Sequence, residues 1–202
     1  MNLVNDRNNL EAFLVNNGQS EMSKKMLEFA NTINNLYDIE DLKDLDRKFY
    51  KYFSRNKDTK KFSRTSSEIF ESKTFSGCSD VGLAIAPILR YKGIPTIYVE
   101  SAKVSWINDM EQKCMEGHIF LEIFIDNKWY LYDPTFRCVY SGYDYNNPCL
   151  PREYYVFAKS LNCHDLGVND VDSERNLAKS FFENNQVIYN EPDYKKIKLF
   201  FM

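Results

Sequence analysis

Asp126-Asn127 separates two runs of strand-forming residues, His118-Ile-Phe-Leu-Glu-Ile-Phe-Ile125 and Lys128-Trp-Tyr-Leu-Tyr-Asp133. A two-residue connector of this kind closes an antiparallel hairpin and fixes its register. Ile125 then stands opposite Lys128, and the pairing runs outward until Phe120 faces Asp133. His118 lies two residues beyond Phe120, so it shares a face with Asp133 and sits diagonal to it. Diagonal neighbours are about 7–8 Å apart at the backbone, within reach for an imidazole and a carboxylate.

A carboxylate in that place can orient an imidazole, fix its tautomer and stabilise its positive charge, as a base serving a thiol nucleophile requires. A thiol is available in Gly77-Cys78-Ser79-Asp80, which runs into a helical face made by Val81, Ala84, Ile85, Ile88 and Leu89. Gly93 stands where a left-handed C-terminal cap belongs, Ile94-Pro95 forbids continuation, and Thr96–Val99 reads as a strand. Pro87 inside the helix removes a backbone hydrogen bond and predicts a kink. Cys78 falls at the amino end, where the macrodipole and unpaired N–H groups favour an anion, with Asp80 opposing this in the same turn. The backbone N–H of Cys78 is the natural first donor to an oxyanion. Lys73, Thr74 and Ser76 are near enough to supply a second, and nothing ranks them. A lone helix cysteine usually serves as a small core residue. The shared face of His118 and Asp133, in a chain with two histidines, gives Cys78 the catalytic reading.

The remaining sequence bounds the possibilities. With 202 residues, 44% hydrophobic and 15% aromatic, the chain suits one main core. A net charge of −3 gives no general attraction to nucleic acid. The positively charged run Arg55–Arg64, interrupted by Asp58, reads as a solvated linker. The first residues, MNLVNDRNNLEAFLVNNG, lack the basic start and apolar run of a secretory signal, and no stretch approaches the about 18 apolar residues that span a bilayer. Five cysteines (78, 114, 138, 149 and 163) without CxxC spacing fit reduced thiols, so a cytoplasmic location is expected. Cys138, Cys149, Cys163 and His164 match no zinc-finger or ribbon spacing, no phosphate-cradling GxxxxGK[ST] loop occurs, and no DxDxDG calcium loop is present. No metal or cofactor is expected.

Three segments follow. Residues 1–57 form a helical amino-terminal subdomain: Leu10, Phe13 and Leu14, then Met22, Met26, Phe29, Ile33 and Leu36, then Leu42, Leu45, Phe49 and Phe53 recur at helical spacing. Gly18 separates the first helix from the second, and Asp38 caps the third. Residues 58–140 carry the Cys78 helix and the hairpin, with a polar link at 54–66 and a polar, irregular stretch at 101–116. Residues 141–202 are an aromatic-rich extension with a helix near Ser173–Asn184 and a strand near Val187–Tyr189.

Three pieces in order resemble the transglutaminase-like superfamily within the broader papain-like cysteine-enzyme fold. Gly77-Cys78-Ser79-Asp80 leading to Arg90-Tyr-Lys-Gly-Ile-Pro95 resembles the family's cysteine helix, His118-Ile-Phe-Leu-Glu122 its histidine strand, and Trp129-Tyr-Leu-Tyr-Asp133-Pro-Thr135 its closing strand. The resemblance covers residues 66–137 and implies an α+β core in which a nucleophile helix packs on an antiparallel sheet. It implies Cys78 as nucleophile, His118 as general base and acid, and Asp133 as the residue that orients His118. Pro87, Phe120 in place of a common tryptophan, and the lack of an upstream oxyanion glutamine or tryptophan depart from the pattern. The implied activity is cofactor-free acyl transfer on a protein or peptide amide through a Cys thioester, hydrolysis by a protease or deamidase being favoured over amine cross-linking. Trp106, Tyr143 and Tyr145 are candidates to line the acyl pocket. Alternatives are an idle binding module of the same fold and an arylamine-type acetyltransferase that depends on acetyl-CoA.

Overall fold

The computed structural model describes residues 7–57, 60–112 and 114–200; Asp58 of the charged run and the first six residues lie outside them. After 3-10 turns at Leu10–Leu14 and Gly18–Ser20 come α1 (Lys24–Thr32), α2 (Leu42–Tyr52), β1 (Ser54–Arg55), α3 (Ser66–Ser72), β2 (Thr74–Phe75) and α4 (Cys78–Tyr91). The chain continues through β3 (Thr96–Lys103), α5 (Val104–Ile107), β4 (Gly117–Ile125), β5 (Lys128–Asp133) and β6 (Cys138–Ser141). It ends with β7 (Cys149–Leu150), β8 (Tyr154–Ser160), α6 (Val171–Glu183) and β9 (Lys195–Lys198). Seven strands form one sheet in the order β7-β8-β3-β4-β5-β6-β9, every neighbouring pair antiparallel. β1 and β2 form a separate parallel pair. The result is a mixed α+β architecture.

The hairpin has the expected register, from Ile125 opposite Lys128 to Leu121 opposite Tyr132. Asp126 and Asn127 both take left-handed conformations (φ 50° and 56°), the pair of positive angles that a type I′ turn needs and that Asp and Asn tolerate. β4 also pairs with β3, which places His118 opposite Ser101. The Ser101 hydroxyl donates to the His118 carbonyl at 2.7 Å, so the histidine is held from both neighbouring strands.

α4 lies on the sheet, its Val81, Ala84, Ile85, Ile88 and Leu89 in one core with Tyr98, Ile119, Leu121, Ile123, Tyr132 and Val139. Gly82 makes the approach possible: a Cβ there would come 2.8 Å from Ile119 Cγ2 and 3.1 Å from Tyr98 Cε2. α4 is continuous from Cys78 to Tyr91 through Pro87. The Leu83 carbonyl, one turn back, which Pro87 cannot satisfy, accepts the buried Ser66 hydroxyl at 2.7 Å. Gly93 (φ 82°) ends the helix, with Ile94 N–H bonded to Leu89 O at 2.9 Å. Buried Arg90 donates to the carbonyls of Thr96, at 3.0 Å, and Leu161, which ties the helix end to β3 and to the chain after β8.

Of the three helices expected in the amino-terminal segment, the second and third are α-helices, whereas the first, around Leu10–Leu14, is a short 3-10 turn followed by another at Gly18–Ser20. α1 and α2 are helices, and their Met26, Phe29, Leu42, Leu45 and Phe49 join the same core as α4. The polar link holds β1, and it leads into α3, which a capping box over Thr65-Ser-Ser-Glu68 starts. The stretch at 101–116 is more ordered than its polarity indicates: β3 runs to Lys103, and α5 buries Trp106. α6 spans Val171–Glu183, close to its expected place. Val187–Tyr189 is not a strand; the last strand is the lysine-rich Lys195–Lys198 on the edge beside β6, where charge protects an open edge. Among the described residues no helix is long and apolar enough to cross a membrane.

Candidate active site

The hairpin delivers its diagonal pair. His118 Nε2 lies 2.9 Å from Asp133 Oδ2, with His118 4% and Asp133 0% exposed. The other Asp133 oxygen, Oδ1, accepts the Phe136 backbone N–H at 3.0 Å, a tight turn made by the residues just after β5. With Nε2 engaged by the carboxylate, Nδ1 is the ring nitrogen left for a thiol. Cys78, half-buried at the first position of α4, lies close enough to the imidazole to raise its proton affinity. Burial, the largest influence on His118, depresses its pKa, but the hydrogen bonds and charges of Asp133 and Cys78 outweigh it and raise the value from 6.5 to about 9.

Gly77 caps α4 in an extended conformation, so the N–H groups of its first turn are open at the Cys78 end. Asp80, expected to oppose an anion there, is itself engaged. Its Oδ2 accepts the Ser76 backbone N–H and hydroxyl, both at 2.6 Å, and the Arg64 guanidinium. Arg64, in the linker, thus balances the negative charge beside the nucleophile. Ser76 is committed to Asp80, which leaves the second oxyanion donor unassigned.

Phe120 and three side chains that the sequence did not single out, Arg152, Phe136 and Tyr154, complete the surroundings. Arg152 forms an ion pair with Asp133 Oδ2, the oxygen that also faces His118. Phe120, Phe136 and Tyr154 stand around the imidazole with ring centroids 4.7, 5.6 and 5.2 Å away. Phe136, two residues after the Asp133-Pro134 step, is 51% exposed and offers apolar surface directly beside His118. Arg152 carries no local signal in the sequence, because the loop before β8 brings it to Asp133 from a remote part of the chain.

The three aromatic pocket candidates are not brought to Cys78 and His118. Trp106 is 1% exposed and packs as a core residue with Ala102, Phe157, Ala178 and Phe182. Buried Tyr143 points its hydroxyl at Glu122, which also pairs with Lys159 and Arg7. Tyr145 packs against Trp129 at 6.2 Å. Both tyrosines belong to the cluster around Phe120 and Leu131.

The other thiols and the second histidine have separate surroundings. Cys163 Sγ donates to Gln19 Oε1 at 2.9 Å, and His164 Nε2 lies 3.0 Å from the Phe62 carbonyl. Among the described residues no group of three or more His, Cys, Asp or Glu is placed to hold a metal ion. Two buried carboxyls behave differently from those of the site: Glu100, fully buried, has no partner for either oxygen, and Glu174, facing Gly117 closely enough that a Cβ there would meet its Oε1 at 2.6 Å, has a pKa lifted by burial to about 7 against the pull of Lys61.

No protein-family model matches the chain, and no curated protein matches it. Among solved structures, the fold is similar to "a Putative Cysteine Protease from Cytophaga hutchinsonii", with a TM-score of 0.57 at 12% identity over 83% of this chain and 52% of that one. The chain therefore spans about half the length of that protein. The likeness is one of fold: helix and antiparallel sheet in an arrangement that a protein so described also uses.

Proposed function

We propose that the protein is a transglutaminase-like cysteine enzyme that transfers the acyl group of a protein or peptide amide to water through a Cys78 thioester. One observation carries this reading: Asp133 holds His118 Nε2 at 2.9 Å while the imidazole keeps Cys78 as its other neighbour. The fold likeness to the Cytophaga hutchinsonii protein supports it.

In the first half-reaction the Cys78 thiol proton passes to His118 and the sulfur attacks the amide carbonyl carbon, whose π electrons move to oxygen. The oxyanion forms beside the Cys78 backbone N–H at the amino end of α4. As the C–N bond breaks, imidazolium gives its proton to the departing amine, leaving the thioester. In the second half, His118 takes a proton from water, the hydroxide oxygen bonds to the carbonyl carbon, and the C–S bond breaks. The carboxylic product leaves and Cys78 recovers its proton through the imidazole. Asp133 stays negative throughout and keeps the ring aligned. The apolar face of Phe136 suits a hydrophobic side chain next to the scissile amide.

A peptide library incubated with wild type and Cys78→Ala, with and without a primary amine, tests the proposal. New termini or ammonia release that vanish in Cys78→Ala support hydrolysis. Amine incorporation instead would make the acceptor an amine, dependence on acetyl-CoA would indicate acetyl transfer, and no Cys78-dependent product would leave a binding module.

A further inference from the structure

Asp133 Oδ2 serves two cationic groups at once, His118 Nε2 and the Arg152 guanidinium. Both sit within the same three rings. The guanidinium carbon is 3.8 Å from the Phe136 centroid, 5.5 Å from Phe120 and 5.4 Å from Tyr154, the rings that also surround the imidazole. Such faces favour a cation.

The backbone is bent to put Arg152 there. Arg152 and the following Glu153 are both left-handed, with φ of 66° and 60°, a conformation costly for side chains of this kind and found where surroundings enforce it. The enforcing contacts come from the chain before β9. Glu191 accepts the Arg152 backbone N–H at 3.2 Å, the Tyr189 hydroxyl accepts that of Glu153 at 3.0 Å, and the same hydroxyl lies 2.9 Å from the Leu150 carbonyl. The segment read from sequence as a strand acts as a strap on this turn.

A carboxylate with no exposure requires a partner charge whenever the imidazole is neutral, and two cations on one oxygen weaken each other's hold. Resting on the proposed function above, we propose that Arg152 is a positioning residue for this site. It anchors Asp133 while the proton is away from His118, and it loosens the imidazolium so that the proton passes readily to the leaving amine. The groups around His118 enter the balance: Cys78 from α4, Asp133 from β5, Tyr154 from β8 and Arg152 from the turn, with Lys103 of β3 and Glu116 ahead of β4 acting on Tyr154 behind them.

The test is the titration of the His118 ring followed by NMR in the full chain, alongside the pH profile of Cys78 alkylation. Arg152→Gln should shift the His118 titration upward by about one pH unit, a tenfold change in proton affinity. Arg152→Lys should keep it near wild type. Tyr189→Phe, which retains Arg152 and removes only an anchor of its turn, should move it upward by less. A midpoint unmoved or lowered in Arg152→Gln, or in Tyr189→Phe should Arg152→Gln fail to fold, overturns the assignment. Failure of the functional reading looks different: Cys78 is then no more reactive than the other thiols in wild type, whatever the imidazole does.

Discussion

His118 and Asp133 meet at 2.9 Å because a two-residue turn sets the register of β4 against β5. An asparagine at 133 keeps the shape but removes the charge that holds the imidazole in its working tautomer. Asp133→Asn should lower amide turnover, and the His118-dependent reactivity of Cys78, by about 10²–10⁴-fold. The same change leaves Arg152 without its counter-charge, so urea unfolding should show a loss of roughly 3 kcal/mol.

The raised His118 pKa links folding to pH. The folded value of about 9 exceeds the ordinary 6.5, so the folded state holds this proton more tightly than the unfolded chain does. The contribution is complete below pH 6.5 and is lost as pH rises to 9, by on the order of 3 kcal/mol in all. Urea midpoints between pH 6 and 9 should fall more steeply in wild type than in His118→Gln, the difference between the two curves isolating this residue.

Glu100 has the opposite character, a buried acid without a partner. Burial, joined by the charges of Glu174 and Cys78, raises its pKa well above 4.5. Below pH 4 both folded and unfolded forms are protonated and the group is neutral to stability. As pH rises, the unfolded chain gives up this proton first, and stability drains away. Glu100→Gln should therefore raise the melting temperature at pH 8, by the equivalent of about 1–2 kcal/mol, and leave it nearly unchanged at pH 4. Equal gains at both pH values would contradict this.

Asp46 of α2 is fully buried against Arg137, whose Nε and Nη2 reach it at 2.9 and 2.6 Å. Tyr50 of the same helix donates to the Pro134 carbonyl at 2.8 Å. The amino-terminal helices thereby hold the loop that follows Asp133. Removing one partner strands a buried charge, so Arg137→Ala should cost about 3–5 kcal/mol in urea unfolding. The double variant Asp46→Leu with Arg137→Leu should recover much of that loss.

What the sequence made legible is what neighbouring residues determine. The Asp126-Asn127 turn, the Gly93 cap and the helical spacing from Val81 to Leu89 each depend on a few consecutive side chains, and the His118–Asp133 pair follows from the turn by counting. Long-range partners left no such trace. Ser66 repairs the carbonyl that Pro87 orphans, and α4 continues past the proline to Tyr91. Arg64 occupies Asp80, and Arg152 reaches Asp133 from a turn that Tyr189 and Glu191 hold. Lys195–Lys198 pairs as an edge strand although its charges hide the strand pattern. Trp106 looked like a pocket residue in a polar stretch, yet α6 and β8 cover it. The capping box at Thr65–Glu68 was a readable signal for α3.

The most direct test of Cys78 as nucleophile is competition between thiols. Cys114 is exposed, whereas Cys78 is half-buried, so access alone favours Cys114. With sub-stoichiometric iodoacetamide at pH 7 and peptide mass spectrometry, Cys78 should be labelled well ahead of Cys114, and His118→Ala should abolish that lead. Labelling led by Cys114 in wild type, or a lead for Cys78 that persists without His118, would contradict the triad.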